Sequence, residues 1–164
     1  MNFNANGFLD PGIHDVELSA IEEHLVRGFP TSTTRPRIID GYKRHRTDLE
    51  TLNIELEQLL NGSFVSTKND PGDIDLVCFA DADTVDRLSP ADQIKFRALT
   101  LGSSTKSTHL CDAYFCPTVP ETDPRYLMVR QNRKYWMGEF GYDRQERPKG
   151  ILRMRITHAK GGAP

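Results

Sequence analysis

The 164-residue chain has the length of a single domain with one sizeable hydrophobic core. Its charged fraction of 27% and formal net charge of −2 argue against a surface that coats nucleic acid, although they allow a local basic groove. The sequence has no apolar run long enough to cross a membrane and no signal-like start, so we expect a cytoplasmic protein without membrane contact. Three cysteines lie within apolar runs and are expected to be reduced and buried: Cys78, Cys111 and Cys116.

The first third of the chain is predicted to be mainly helical. Apolar residues that recur every three or four positions indicate two amphipathic helices, and Asp15 and Pro36 suit their first turns. The elements predicted here are an N-terminal surface arm over 1–15, helices over 16–27 and 34–52, and a segment over 53–60 that is ambiguous between a helix end and a strand. The basic cluster 43–46 fits a solvated helix face, or alternatively a contact for an anionic partner.

The remainder of the chain alternates strand and helix patterns, and it has no internal repeat or linker. Ser89-Pro90 is a strong helix start, because serine caps the first turn and proline suits its first position. The elements predicted here are strands over 73–80, 109–116 and 151–157, helices over 89–101 and 123–137, loops over 81–86 and 103–107, and a flexible tail over 158–164. Alternating arginines in the last strand indicate an edge position. Residues 16–157 would form the folded domain.

The stretch from Asn61 to Phe79 carries the clearest chemical signal. A tight turn at 70–72 leads into an apolar strand in which Asp73, Asp75 and Val77 share one face. Two carboxylates at this spacing repel each other unless a cation lies between them, and oxygen ligands suit Mg²⁺ or Mn²⁺.

Gly62-Ser63, followed about ten residues later by Asp73-x-Asp75 on a strand, resembles the signature of minimal nucleotidyltransferases of the polymerase-β-like superfamily. A longer match resembles an uncharacterised bacterial and phage subfamily, and it covers Gly12-Ile13-His14, Gly62-Ser63-Phe64-Val65, Tyr135-Trp136 and Pro148-Lys149-Gly150. The resemblance implies a single-domain α/β (α+β) fold with a short mixed sheet flanked by helices on one face. It also favours a strand over 53–60.

Asp112 is an acid within an apolar strand, so it needs a compensating partner. That partner is either a metal shared with Asp73 and Asp75 or a nearby Arg or Lys. The resemblance implies that the three aspartates are catalytic and bind two Mg²⁺ or Mn²⁺ ions. It also implies that Gly62 and Ser63 bind the nucleotide triphosphate.

Basic residues near the motif are candidates for phosphate binding. Lys68 is assigned to the nucleotide site, and Arg144 and Lys149 are further possible phosphate contacts, although each also fits an ordinary surface charge. His14 and His109 lack a paired nucleophile, which indicates structural roles.

The function implied by the resemblance is transfer of a nucleotide monophosphate, AMP being favoured, from NTP to a protein or RNA hydroxyl. Small relatives suggest a toxin–antitoxin or phage-defence partner. One alternative is a catalytically idle nucleotide- or partner-binding regulatory module, because the residues after Ser63 lack the basic residue and second glycine of many minimal members. A metal-dependent phosphodiesterase is less favoured, since no histidine lies near Asp73.

Overall fold

A computed structural model describes residues 1–157, and the tail predicted over 158–164 lies outside the described residues. The strands are β1 (Gly12–Asp15), β2 (Leu56–Asn61), β3 (Ile74–Asp81), β4 (Leu101–Gly102), β5 (Cys111–Thr118) and β6 (Gly150–Ile156). The helices are α1 (Leu18–Ile21), which continues as a π-helix over Glu22–Arg27, α2 (Arg35–Glu50), α3 (Ala82–Asp86), α4 (Pro90–Leu99), α5 (Lys106–His109) and α6 (Tyr126–Gly141). Short 3₁₀ turns cover Ser63–Val65 and Ser103–Thr105.

The strands form one mixed sheet in the order β1-β6-β2-β3-β5-β4, which confirms the predicted α/β class. β3 pairs with β5 in parallel and with β2 in antiparallel orientation. The edge position predicted for β6 is wrong, because β1 pairs alongside it in parallel. The arm predicted over 1–15 therefore contains a strand of the sheet, and Leu9 within it is buried.

The two faces of the sheet have separate apolar clusters. The main core lies on the face of Leu76 and Leu60, and it includes α2 residues such as Tyr42. Val77 and Leu59 point to the opposite face, where they pack with Phe140 of α6. Helices therefore cover both faces, and the expectation of helices on one face is wrong. Because strand side chains alternate, Asp75 lies on the α6 side with Val77.

Two segments predicted as loops contain helical turns. Residues 82–86 form α3 because the Asp81 carboxylate accepts a hydrogen bond from the Thr84 backbone N–H at 2.8 Å, which caps the helix. Residues 103–109 form a 3₁₀ turn and α5, so β5 begins at Cys111 rather than at 109.

Candidate active site

Three aspartates lie together at one end of the β3–β5 pair. Asp75 on β3 is directly opposite Asp112 on β5, and the parallel register places both side chains on the α6 side of the sheet. Asp73 lies immediately before β3. The turn over 70–72 precedes this strand, and the strand's alternation fixes which side chains face the site.

Lys106, the first residue of α5, contacts two of these aspartates. Its Nζ lies 2.7 Å from Asp73 Oδ2 and 2.9 Å from Asp112 Oδ2. Hydrogen bonds to the two carboxylates raise the pKa of Lys106 above its usual value, and the bond to Asp73 has the larger effect. The side chain is therefore a fixed ammonium at neutral pH. Of the two partners predicted for Asp112, the basic side chain is present.

Lys106 leaves part of the acidic charge without a partner. Asp75 forms no salt bridge within residues 1–157, and its pKa is raised by burial and then by the charges of Asp73 and Asp112. Asp112 Oδ1 is buried without a hydrogen-bond partner among the described residues. An unsatisfied buried carboxylate oxygen is costly, so this position favours a cation.

The donor set fits a hard divalent ion, because carboxylate oxygens are the ligands that Mg²⁺ prefers. In residues 1–157, however, no group of three or more acidic, histidine or cysteine side chains is arranged to hold a metal ion. The Lys106 ammonium lies between Asp73 and Asp112. Among the described residues, carboxylate oxygens without a salt bridge remain on Asp75, at Asp112 Oδ1 and at Asp73 Oδ1.

Gly62 lies directly against the Asp75 carboxylate. It has φ +79°, and a β-carbon at this position would overlap Asp75 Oδ2. The backbone N–H of Gly62 donates to Asn61 Oδ1 at 2.7 Å. Asn61 Nδ2 in turn donates to the carbonyls of Phe140 at 2.9 Å and Gly150 at 3.1 Å. Asn61 thus joins the end of β2 to the end of α6 and the start of β6, a role that the sequence analysis missed.

The buried side chain of Arg35 donates hydrogen bonds to the backbone of the loop that follows Gly62. This guanidinium is fully buried, and it donates to the carbonyls of Phe64 at 2.8 Å, Ser66 at 2.7 Å and Lys68 at 2.7 Å. It also lies 3.8 Å from the ring centroid of Phe29. Burial lowers the pKa of Arg35 to about 10, so it remains charged at neutral pH. The backbone of this loop is therefore fixed, while the Lys68 side chain stays exposed.

A large cavity of about 1110 Å³ opens beside the carboxylates. Its lining combines Ser63 with the basic residues Lys68, Arg144 and Lys149. These are the residues that sequence analysis proposes for phosphate contact. Burial lowers the pKa of Lys149.

A smaller cavity of about 300 Å³ also borders Asp75. It contains Asp112 and an aromatic wall that includes Tyr114 and Trp136, whose ring centroids are 4.8 Å apart. Asp75, Gly62, Glu139 and Lys149 line both cavities. The larger cavity therefore has a mixed acidic and basic lining, and the smaller one has an aromatic wall.

A sequence profile described as a family of unknown function, DUF6932, matches residues 1–155. The chain belongs to the DUF6932 family. Neither the curated proteins nor the solved structures contain a significant match to it. Within residues 1–157 of this DUF6932 protein, no helix has the length and apolar character needed to cross a membrane.

The two histidines considered in the sequence analysis lie outside both cavities of the DUF6932 protein. His14 Nε2 is 2.8 Å from the carbonyl oxygen of Asp10. His109 Nε2 is 3.1 Å from Asp48 Oδ2. Both side chains thus make contacts within the fold. Lys106, like Asn61, was missed by sequence reasoning, although the need of Asp112 for a nearby cation was a signal for Lys106.

Proposed function

We propose that this protein is a divalent-metal-dependent nucleotidyltransferase that moves a nucleotide monophosphate, AMP being favoured, from NTP to a protein or RNA hydroxyl. One observation carries the proposal: Asp75 and Asp112 are paired in register on adjacent parallel strands, and Gly62 is packed against Asp75. This arrangement concentrates negative charge at the boundary of a large cavity whose lining includes three basic side chains outside the carboxylate cluster.

The large cavity suits the triphosphate, since Lys68, Arg144 and Lys149 can neutralise phosphate oxygens. Ser63 and the backbone after Gly62 can approach the phosphates closely. Asp75 and Asp112 would hold Mg²⁺ or Mn²⁺, and such an ion supplies charge stabilisation at the reacting phosphate and makes the acceptor oxygen a better nucleophile. The acceptor would approach through the smaller cavity, which also borders Asp75 and contains Asp112.

We also propose that the protein works in the cytoplasm. Its three cysteines are free thiols, and all three are buried. Burial raises the pKa of Cys116 to about 11 and that of Cys78 to about 12, so these thiols are not reactive thiolates at neutral pH. Unpaired structural thiols suit a reducing compartment.

The direct test is calorimetry of NTP binding in Mg²⁺ or Mn²⁺. We expect metal-dependent binding by the native chain and its loss in Asp73→Ala/Asp75→Ala. Asp83→Ala/Asp86→Ala is the matched control, because it removes two exposed carboxylates outside both cavities and changes the net charge equally. Absence of binding for every NTP, with a native far-UV spectrum and a cooperative unfolding transition, would reject the proposal.

A second candidate is a catalytically idle module that binds a nucleotide or a partner protein. The observation that favours it is the pair of contacts between Lys106 and the carboxylates, which neutralises part of the charge that a metal would otherwise neutralise. Release of pyrophosphate after addition of NTP and candidate protein or RNA acceptors separates the two candidates. Binding of NTP without pyrophosphate release for any acceptor would favour the idle module.

A further inference from the structure

The backbone at Lys106 is held in place by tertiary hydrogen bonds of the residue before it. Lys106 follows Thr105, a buried residue whose hydroxyl lies 2.5 Å from the Cys111 carbonyl oxygen and 2.8 Å from that of Gly102, and accepts from the Ala113 backbone N–H at 3.2 Å. Thr105 thereby ties the start of α5 to β5, the strand that carries Asp112. The ammonium of Lys106 is held beside Asp112 by this backbone connection as well as by its own two contacts.

The contacts of Lys106 divide the carboxylate oxygens into two groups. Asp73 Oδ2 and Asp112 Oδ2 are used by the ammonium. Asp112 Oδ1 is buried and unpartnered in the described part of the chain, and the neighbouring Asp75 forms no salt bridge there. Asp73 Oδ1 also has no partner in the described part of the chain, but Asp75 and Asp112 are the two residues that lie directly opposite each other on adjacent strands.

We infer that Lys106 is a resident cation of this site and that the protein binds one divalent ion, at Asp75 and the free oxygen of Asp112, instead of the two ions that the family resemblance implies. The inference rests on the proposed function, and it concerns which cations neutralise the carboxylates of that site. Because Lys106 is part of the chain, placing its ammonium between the carboxylates costs less entropy than binding a free ion. Mg²⁺ must also lose water ligands when it binds, which it does reluctantly. Lys106 therefore holds the position between Asp73 and Asp112.

The test is a titration with Mn²⁺ alone, in which electron paramagnetic resonance counts the bound ions. We expect one ion per native chain and two in Lys106→Met, because that variant frees Asp73 and the second oxygen of Asp112. Lys68→Met is the matched control: it removes a positive charge from the same cavity, but Lys68 forms no salt bridge within residues 1–157. Its ion count should stay at one.

Single carboxylate variants give a second, independent readout. If Asp73 is a partner of Lys106 and not a metal ligand, Asp73→Asn retains the ion, while Asp75→Asn and Asp112→Asn lose it. This comparison applies even if Lys106→Met unfolds.

The outcomes separate the two proposals. Two ions on the native chain, an unchanged count in folded Lys106→Met, or loss of the ion in Asp73→Asn would overturn the inference while leaving nucleotidyl transfer open. One ion with the expected variant pattern, but no NTP binding by calorimetry, would support the inference and reject the proposed function. Absence of any bound Mn²⁺ would overturn the inference, and NTP binding would then decide the function separately.

Discussion

Gly62 leaves no room for a β-carbon against the carboxylate of Asp75. The backbone there has φ +79° and ψ −165°, a combination open almost only to glycine. The approach is possible because Asn61, the preceding residue, pairs with Asp75 across the β2–β3 ladder. The position of the central carboxylate therefore depends on the absence of a side chain at residue 62.

Gly62→Ala should distort the site. The backbone conformation alone costs a non-glycine residue about 1–3 kcal/mol, and the methyl group would also displace the Asp75 side chain. We expect the free energy of unfolding to fall by at least this amount and metal-dependent NTP binding to weaken at least about tenfold. Urea denaturation and calorimetry measure the two effects.

Gly72→Ala is the matched control for Gly62→Ala. Gly72 lies in the turn before β3, and a β-carbon there would have no neighbour within 4 Å. Its free energy of unfolding and NTP binding should remain close to native values. Equal effects of the two substitutions would contradict the role assigned to Gly62.

Arg35→Met should destabilise the protein, because it leaves the buried carbonyls of Leu25, Phe64 and Ser66 without their donors. An unsatisfied buried acceptor costs about 1–3 kcal/mol, so we expect a loss of roughly 3 kcal/mol or more in urea denaturation. Arg37→Met removes an exposed arginine from the same helix and should change stability by less than about 0.5 kcal/mol. Similar losses in both variants would contradict the role of Arg35.

The sequence could predict those parts of the site that depend on the alternation of side chains along a strand. The placement of Asp75 and Val77 on one face of β3 follows from a side-chain period of two. The presence of Asp112 in a buried strand follows from the apolar residues around it. Both inferences depend only on local sequence, which is why the central strands were predicted with nearly correct bounds.

The contacts that depend on distant residues could not be predicted. Lys106 lies in a polar segment without apolar periodicity, and its position depends on tertiary hydrogen bonds of Thr105. β1 has four residues with largely exposed side chains, so no pattern indicated its pairing with β6. Arg35 can be buried because backbone carbonyls satisfy its guanidinium, and these carbonyls belong to residues some thirty positions later in the chain. Hydropathy alone would place this side chain in solvent.

Asp75→Asn should stabilise the protein in the presence of a chelator. Burial and the neighbouring charges of Asp73 and Asp112 raise the pKa of Asp75, so its ionised form opposes folding, and stability falls as pH rises through the folded-state pKa. The amide removes this penalty, so Tm in EDTA should rise at neutral pH while Mn²⁺ binding is lost. Asp73→Asn is the matched comparison, because it removes an ion pair with Lys106 and should not raise Tm. A higher Tm for Asp73→Asn than for Asp75→Asn would contradict this account.

His45 should make the protein less stable in mild acid. Its side chain is fully buried, and one ring nitrogen, Nε2, lies 2.7 Å from the Leu99 carbonyl oxygen. Burial lowers the pKa of His45 to about 4, against about 6.5 in an unfolded chain, so the unfolded state takes up the proton first. The stability contributed by the neutral ring is fully present above about pH 6.5 and is lost as pH falls towards 4, by about 2 kcal/mol between pH 7 and pH 5. Urea denaturation at both pH values should show that His45→Gln loses this part of the pH dependence, whereas His24→Gln, which changes an exposed histidine, keeps it. If the native chain and His45→Gln lose equal stability between the two pH values, the buried imidazole is not the acid-sensitive group.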